Sequence, residues 1–167
     1  MRGVKQVQEH HQLVGQCISL WAMLDEQLFN TCRLVLGTSA EIAAVVYFEF
    51  QTFNQRLTLT DKLVRHTFEG EPVQLAAWKS LHSRLASGAR VRNRLAHSVL
   101  RGSESVTIYP EGSGQAPEYV SDWWIDGNPA SPKAKGRPLR RQDIERNVKD
   151  AGDLHRRLGA LVQSLTA

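Results

Sequence analysis

Between Val4 and Leu36 the apolar residues fall at helical intervals over more than thirty positions, and this run constrains the fold more than any other feature of the chain. Val7, Leu13, Val14, Cys17, Leu20, Trp21, Leu24, Leu28 and Leu36 recur at steps of three, four and their multiples. That spacing lines one face of a helix with apolar groups. A helix of this length cannot bury its stripe alone, so other helices must pack on it. Gly15 weakens such a helix by about 1 kcal/mol relative to Ala without breaking it. Gly37 is its expected stop.

Further helices follow at short intervals. Ser39 is the expected N-cap of a second helix running toward Glu49. A third fits Thr52 to Phe68, with Leu57, Leu59, Leu63 and Val64 as its apolar members and Gly70 closing it. Glu71-Pro72 opens a fourth, because proline suits a first helical turn. Its periodicity runs through Leu75, Trp78, Leu81, Leu85, Val91, Leu95 and Val99 to about Leu100, with a break allowed at Gly88 and a stop at Gly102. Five of the six prolines lie beyond Tyr109. Ser105–Tyr109 and Glu118–Ile125 carry β-type residues around Gly112, Gly114 and Pro117, the pattern of a hairpin. Residues 127–138 read as a loop. From Leu139 to Leu165 the pattern is helical again, with Ile144, Val148, Leu154, Leu158, Leu161, Val162 and Leu165 facing inward. The expected fold is all-α: an up-and-down bundle of four to five helices, with a β-hairpin-like insertion at 103–138 before the last helix. Residues 1–167 form one domain, as the length suggests.

Hydrophobic residues make up 41% and charged residues 23% of the chain, a globular balance. Nowhere do about 18 apolar residues run together, so no membrane-spanning helix is expected. Met1 to Gln8 is polar and lacks the apolar core of a secretory signal. Cys17 and Cys32 sit on one helix at a separation of about 22 Å, too far for a disulfide. They are expected as reduced, half-buried thiols in a cytoplasmic protein.

The formal net charge is +4, and its distribution says more than its total. From Pro72 to Ser103 there are six basic residues and no Asp or Glu, whereas Glu104 to Asp126 carries five acids and no base. Clustered Lys and Arg suit a polyanion, whose counterions they release. A solvated basic face with no ligand gives the same pattern.

No P-loop, paired-glycine fingerprint, HExxH or GxSxG occurs. The stretch that can carry chemistry is Val91-Arg92-Asn93-Arg94-Leu95-Ala96-His97-Ser98. On one helix, Asn93 and His97 are i,i+4 neighbours, with Arg92 flanking them and Val91, Leu95 and Val99 on a core-facing stripe. Histidine moves protons near neutral pH. The arginine fork matches phosphate oxygens, and an amide can orient either group. Such a set can cleave RNA without metal: the 2′-hydroxyl attacks, His97 transfers protons and Arg92 stabilises the charged transition state. The alternative is a packing helix with these residues merely on its surface.

The string Arg92-Asn93-x-x-Ala96-His97, late in an all-helical chain, resembles the signature of the HEPN family. Its elements are an Arg, a polar residue and a His four to six residues on. The stretch Leu20 to Leu28 resembles that family's first long helix. The resemblance covers residues 4 to 100 and the last helix, but not 103–138. It implies a dimeric, metal-independent endoribonuclease with the motifs of both copies in one cleft. Arg92, His97 and Asn93 would be catalytic, and Arg90, Arg94 and Arg101 would bind RNA. It further implies a defence or toxin role, a possible antitoxin or other neutralising protein as partner, and no cofactor, metal or membrane. Some members serve instead as non-catalytic binding or interaction modules. One toxin subgroup has Tyr two residues after the motif His; this chain has Val99 there.

Other candidates carry weaker signals. His10-His11 read as solvated rather than as metal ligands, and the isolated His66, His82 and His155 as surface or partly buried residues. Trp78 suits the core, while one of Trp123-Trp124 should face outward as a dimer or RNA contact. Asp25, Glu26 and Asp61 could approach the basic groove and orient Arg92.

Overall fold

The long apolar stripe forms one continuous helix, α1 (Arg2–Leu36), and every other helix packs against it. The computed structural model describes residues 2–107, 114, 118–127 and 137–166. Helices α2 (Ala40–Phe48), α3 (Phe53–Thr67) and α4 (Pro72–Ala96) follow, then strands β1 (Ser98–Thr107), β2 (Glu118–Gly127) and β3 (Leu139–Arg140), and finally α5 (Arg141–Thr166). The architecture is a helical bundle with a small antiparallel sheet, in the order β1-β2-β3, ahead of the last helix.

Helix starts obey their caps. Ser39 Oγ accepts the Ile42 N–H. Thr52 and Gln55 form a reciprocal capping box at α3, and Pro72 opens α4. The core gathers from all five helices. Leu24 and Leu28 of α1 meet Tyr47, Val64, Trp78 and Leu85, and Ile144, Leu154 and Leu158 close it from α5. Each such side chain contributes about 1.5–3 kcal/mol by leaving water. Cys17 and Cys32 are free thiols, fully rather than half buried.

Three boundaries differ from the periodicity reading. Helix α4 ends at Ala96 rather than near Leu100, and β1 begins at Ser98, so the insertion starts earlier than residue 103. Leu100 pairs with Ile125, which gives this backbone a ladder in place of another helical turn. Leu139 and Arg140 likewise join the sheet opposite Ile125 and Trp124 before α5 starts. Leu100, Ile125 and Leu139 turn inward together, so these strand residues also belong to the core. The expected turn between β1 and β2 and most of the loop over 127–138 lie largely outside the described residues.

Gly88 does not break α4. A Cβ there would come within 2.6 Å of Trp21 Cζ2 and 3.4 Å of Asn147 Nδ2, so its bareness lets α4 close on α1 and α5. Asn147 is 5% exposed on the inward stripe of α5. Its Oδ1 accepts from Trp21 Nε1 at 2.9 Å and from Cys17 Sγ at 3.1 Å, and its Nδ2 donates to the Gly88 carbonyl at 3.4 Å.

Two glycine substitutions separate helix propensity from packing. Gly15 has open space around its Cα, so Gly15→Ala should stabilise the chain by about 1 kcal/mol. Gly88→Ala gains the same propensity but overpacks the rigid Trp21 ring, at a cost of about 1–3 kcal/mol. It should therefore be the less stable of the two variants. Urea midpoints of both against the parent chain check the ordering.

Candidate nucleic-acid interface

The C-terminal two turns of α4 carry Arg90, Arg92, Asn93 and Arg94, and His97 is the C-cap where α4 gives way to β1. The His97 N–H donates to the Arg94 carbonyl at 3.3 Å, and the imidazole is exposed. Cations at a helix C-terminus are favoured by its partial negative charge. Among the described residues no carboxylate pairs with Arg90, Arg92 or Arg94. Arg90 makes a side-chain contact with Ser87 at 3.3 Å.

Arg92 and Asn93 come together: Arg92 Nη1 donates to Asn93 Oδ1 at 3.0 Å. Arg92 is half-buried rather than projecting clear of the core. The buried line of α4 runs through Trp78, Leu81, Leu85, Ala89 and Leu95, and position 92 falls on it. Its charge is close enough to Cys17 on α1 to draw that thiol's pKa downward, although burial raises it further. The expected inward stripe holds for Leu95, which is buried, and for Val91, which is half-buried against the core at a cavity wall. The side chain of Val99 lies outside those described.

That cavity, about 380 Å³, opens between α4 and α5. Arg84, Arg94, Arg137 and Arg146 line it with Asp143 and Asp150. Arg94 thus turns away from Arg92 and His97, neither of which lines it, and donates from Nη2 to the Arg137 carbonyl. Arg137 holds Asp143 in a two-pronged ion pair at 2.7 and 2.9 Å, and this keeps the Asp143 carboxyl below its ordinary pKa. Arg84 is bound to Asp153 at 2.7 Å and lies 3.7 Å from Asp150. Arg101 on β1 is exposed and faces Asp126 at 3.7 Å.

Two of the three carboxylates expected to orient Arg92, Asp25 and Asp61, are engaged elsewhere. Asp25 pairs with Arg56 and accepts the Tyr47 hydroxyl at 2.6 Å. Asp61 accepts from Arg65 and from Trp78 Nε1, both at 2.8 Å. Trp78 is fully buried, as its spacing implied. Trp123 and Trp124 both remain half-buried on opposite faces of β2. Trp123 covers Gly102, where a Cβ would come within 2.5 Å of its ring, while Arg140 lies 5.4 Å from the centre of the Trp124 ring. His10 is buried, against the solvated expectation. Among the described residues no three His, Cys, Asp or Glu side chains gather as a metal site. Among the described residues no single helix is long and apolar enough to cross a membrane.

Asn147, Arg137 and Arg146 are residues the motif reading missed. Asn147 had a signal, since it stands three residues after Ile144 and four before Ala151 on the inward stripe of α5. Arg137 and Arg146 had none beyond the excess of nine basic over four acidic residues from Gly127 to Arg157.

No family model, curated protein or solved structure matches the chain.

Burial raises the Cys17 thiol from its ordinary 9.0 to about 11. Its contribution to stability is therefore complete below pH 9. It is lost as pH rises from 9 to 11, where the unfolded chain ionises first, at up to about 1.4 kcal/mol per pH unit. Cys32 and Tyr47 are raised as well, mainly by burial, and act in the same direction. Urea denaturation across pH 8–11 should show falling stability, with a shallower slope in Cys17→Ala.

Proposed function

We propose that the chain is a metal-independent endoribonuclease of the HEPN type, acting as a homodimer. The observation that carries this reading is the end of α4. There Arg90 and Arg92 lack any carboxylate partner among the described residues, Arg92 is oriented by Asn93, and an exposed His97 follows at the helix cap. Uncompensated guanidinium groups beside a proton-transfer group suit an anion that reacts with proton movement, and a phosphodiester is such an anion.

The chemistry needs no group beyond these side chains and the RNA. The 2′-hydroxyl loses its proton to an imidazole and attacks the adjacent phosphorus. The bond from phosphorus to the 5′-oxygen breaks, and that oxygen leaves as an alcohol after receiving a proton. The products are a 2′,3′-cyclic phosphate and a free 5′-hydroxyl. Arg92 stabilises the extra charge on the phosphoryl oxygens, where a fixed cation counts most. One proton acceptor and one donor are required, and a second copy supplies the second His97. The reacting cleft in this proposal lies between two copies, and Arg101 on β1 adds phosphate contacts at its edge. A defence or toxin role, restrained by a neutralising protein, rests on the same family resemblance.

The test is single-stranded RNA incubated with the chain in EDTA. The parent chain should cleave it and leave cyclic phosphate ends. His97→Ala and Arg92→Ala should each reduce the rate by about 100-fold or more. A 2′-deoxy residue at the cut position should block the reaction. Undiminished cleavage by both variants would remove the assignment. Salt-sensitive RNA binding without turnover would leave a non-catalytic binding module.

A further inference from the structure

The cavity between α4 and α5 holds charge that the proposed nuclease site does not use. Of its four arginines, Arg137 is committed to Asp143, and Arg84 to Asp153 and Asp150. Arg94 on the α4 wall and Arg146 on the α5 wall have no carboxylate partner among the described residues. Arg94 spends one Nη2 bond on the Arg137 carbonyl, but its Nε is buried with no acceptor. Between these two cations the floor is apolar, formed by Trp21, Val91 and Leu154. A mostly apolar pocket with a few converging charged groups is the usual build of a small-ligand site, and about 380 Å³ lies within the usual size range. A cation is disfavoured, because both lining carboxylates already have arginine partners.

We infer that this cleft is a second anion site, separate from Arg92 and His97. It takes the phosphate of a small phosphorylated ligand, a free nucleotide or the phosphorylated end of an RNA, between Arg94 and Arg146. The guanidinium groups supply charge-assisted bonds from two sides through their terminal nitrogens. The organic part of the ligand rests on the apolar floor. Arg137 and Asp143 act on the site as positioning residues: their ion pair holds the carbonyl that anchors Arg94.

Calorimetric titration of the full-length chain tests the site with three probes: inorganic phosphate, ADP, and a short all-2′-deoxy oligonucleotide with and without a 5′-phosphate. Deoxy strands keep binding apart from cleavage. Saturable binding of ADP, or of the oligonucleotide only when phosphorylated, is expected, and the probe that binds distinguishes the two sources. Arg94→Gln and Arg146→Ala should each weaken that binding by about tenfold or more. Lys79→Ala, which removes an exposed charge elsewhere on α4, should leave it unchanged. Arg146 is exposed, so its variant reports on binding even if Arg94→Gln perturbs folding. No saturation by any probe up to about 1 mM, or binding indifferent to both substitutions, would overturn the inference. His97→Ala abolishes cleavage in the nuclease proposal but should not alter ADP binding, so the two readings fail separately.

Discussion

A single buried amide fixes how three helices sit on one another. Asn147 on α5 receives the Trp21 indole N–H and the Cys17 thiol from α1 and donates to the Gly88 carbonyl of α4. Apolar contacts alone would tolerate a helix sliding by a fraction of a turn. Directional bonds in a site closed to water do not, because a slip would strand buried donors. The missing side chain at Gly88 is part of the same arrangement, since any Cβ there would push the indole off its acceptor. The rotation of α4 about its own axis is set here, and with it the directions taken by Arg92 toward α1 and Arg94 toward α5.

The second constraint is an unequal distribution of counter-charges. Several helical carboxylates are spoken for: Asp25 by Arg56, Asp61 by Arg65 and Trp78, Asp143 by Arg137, Asp153 by Arg84, Arg156 and Arg157. Among the described residues, Arg90, Arg92 and Arg94 in the last turns of α4 and Arg146 on the facing wall of α5 have no carboxylate partner. Surface ion pairs are worth little to stability, so these pairings matter less for folding than for where they leave cations without partners. Of these, Arg94 and Arg146 line the α4–α5 cleft, while Arg92 turns toward Cys17 on α1.

Much of the bundle was legible in the sequence because helix periodicity and caps are local signals. The stripe of α1, the Ser39 and Thr52 caps and the Pro72 start needed no knowledge of distant residues. The end of α4 did. Val99 and Leu100 fit a helical count as well as a strand, and only pairing with β2, some 25 residues away in the chain, decides between them. Leu139-Arg140 was misread for the same reason. Within the motif, position 92 lies on the line through Leu85, Ala89 and Leu95, so its half-burial could have been counted. Val91 beside it also packs against the core, at the wall of the α4–α5 cavity. Arg146 and Arg137 become part of a site only through the approach of α5 to α4, which no local pattern encodes.

The small sheet has a mechanical consequence. Strand β1 leaves α4 after one residue, His97, and β3 runs straight into α5. The end of one cleft wall and the beginning of the other are therefore each welded to a strand, with β2 between them. Two strand spacings amount to about 10 Å, close to the distance at which helices normally pack. The ribbon acts as a caliper: its hydrogen-bonded rungs hold the mouth of the α4–α5 cleft at a nearly constant gauge.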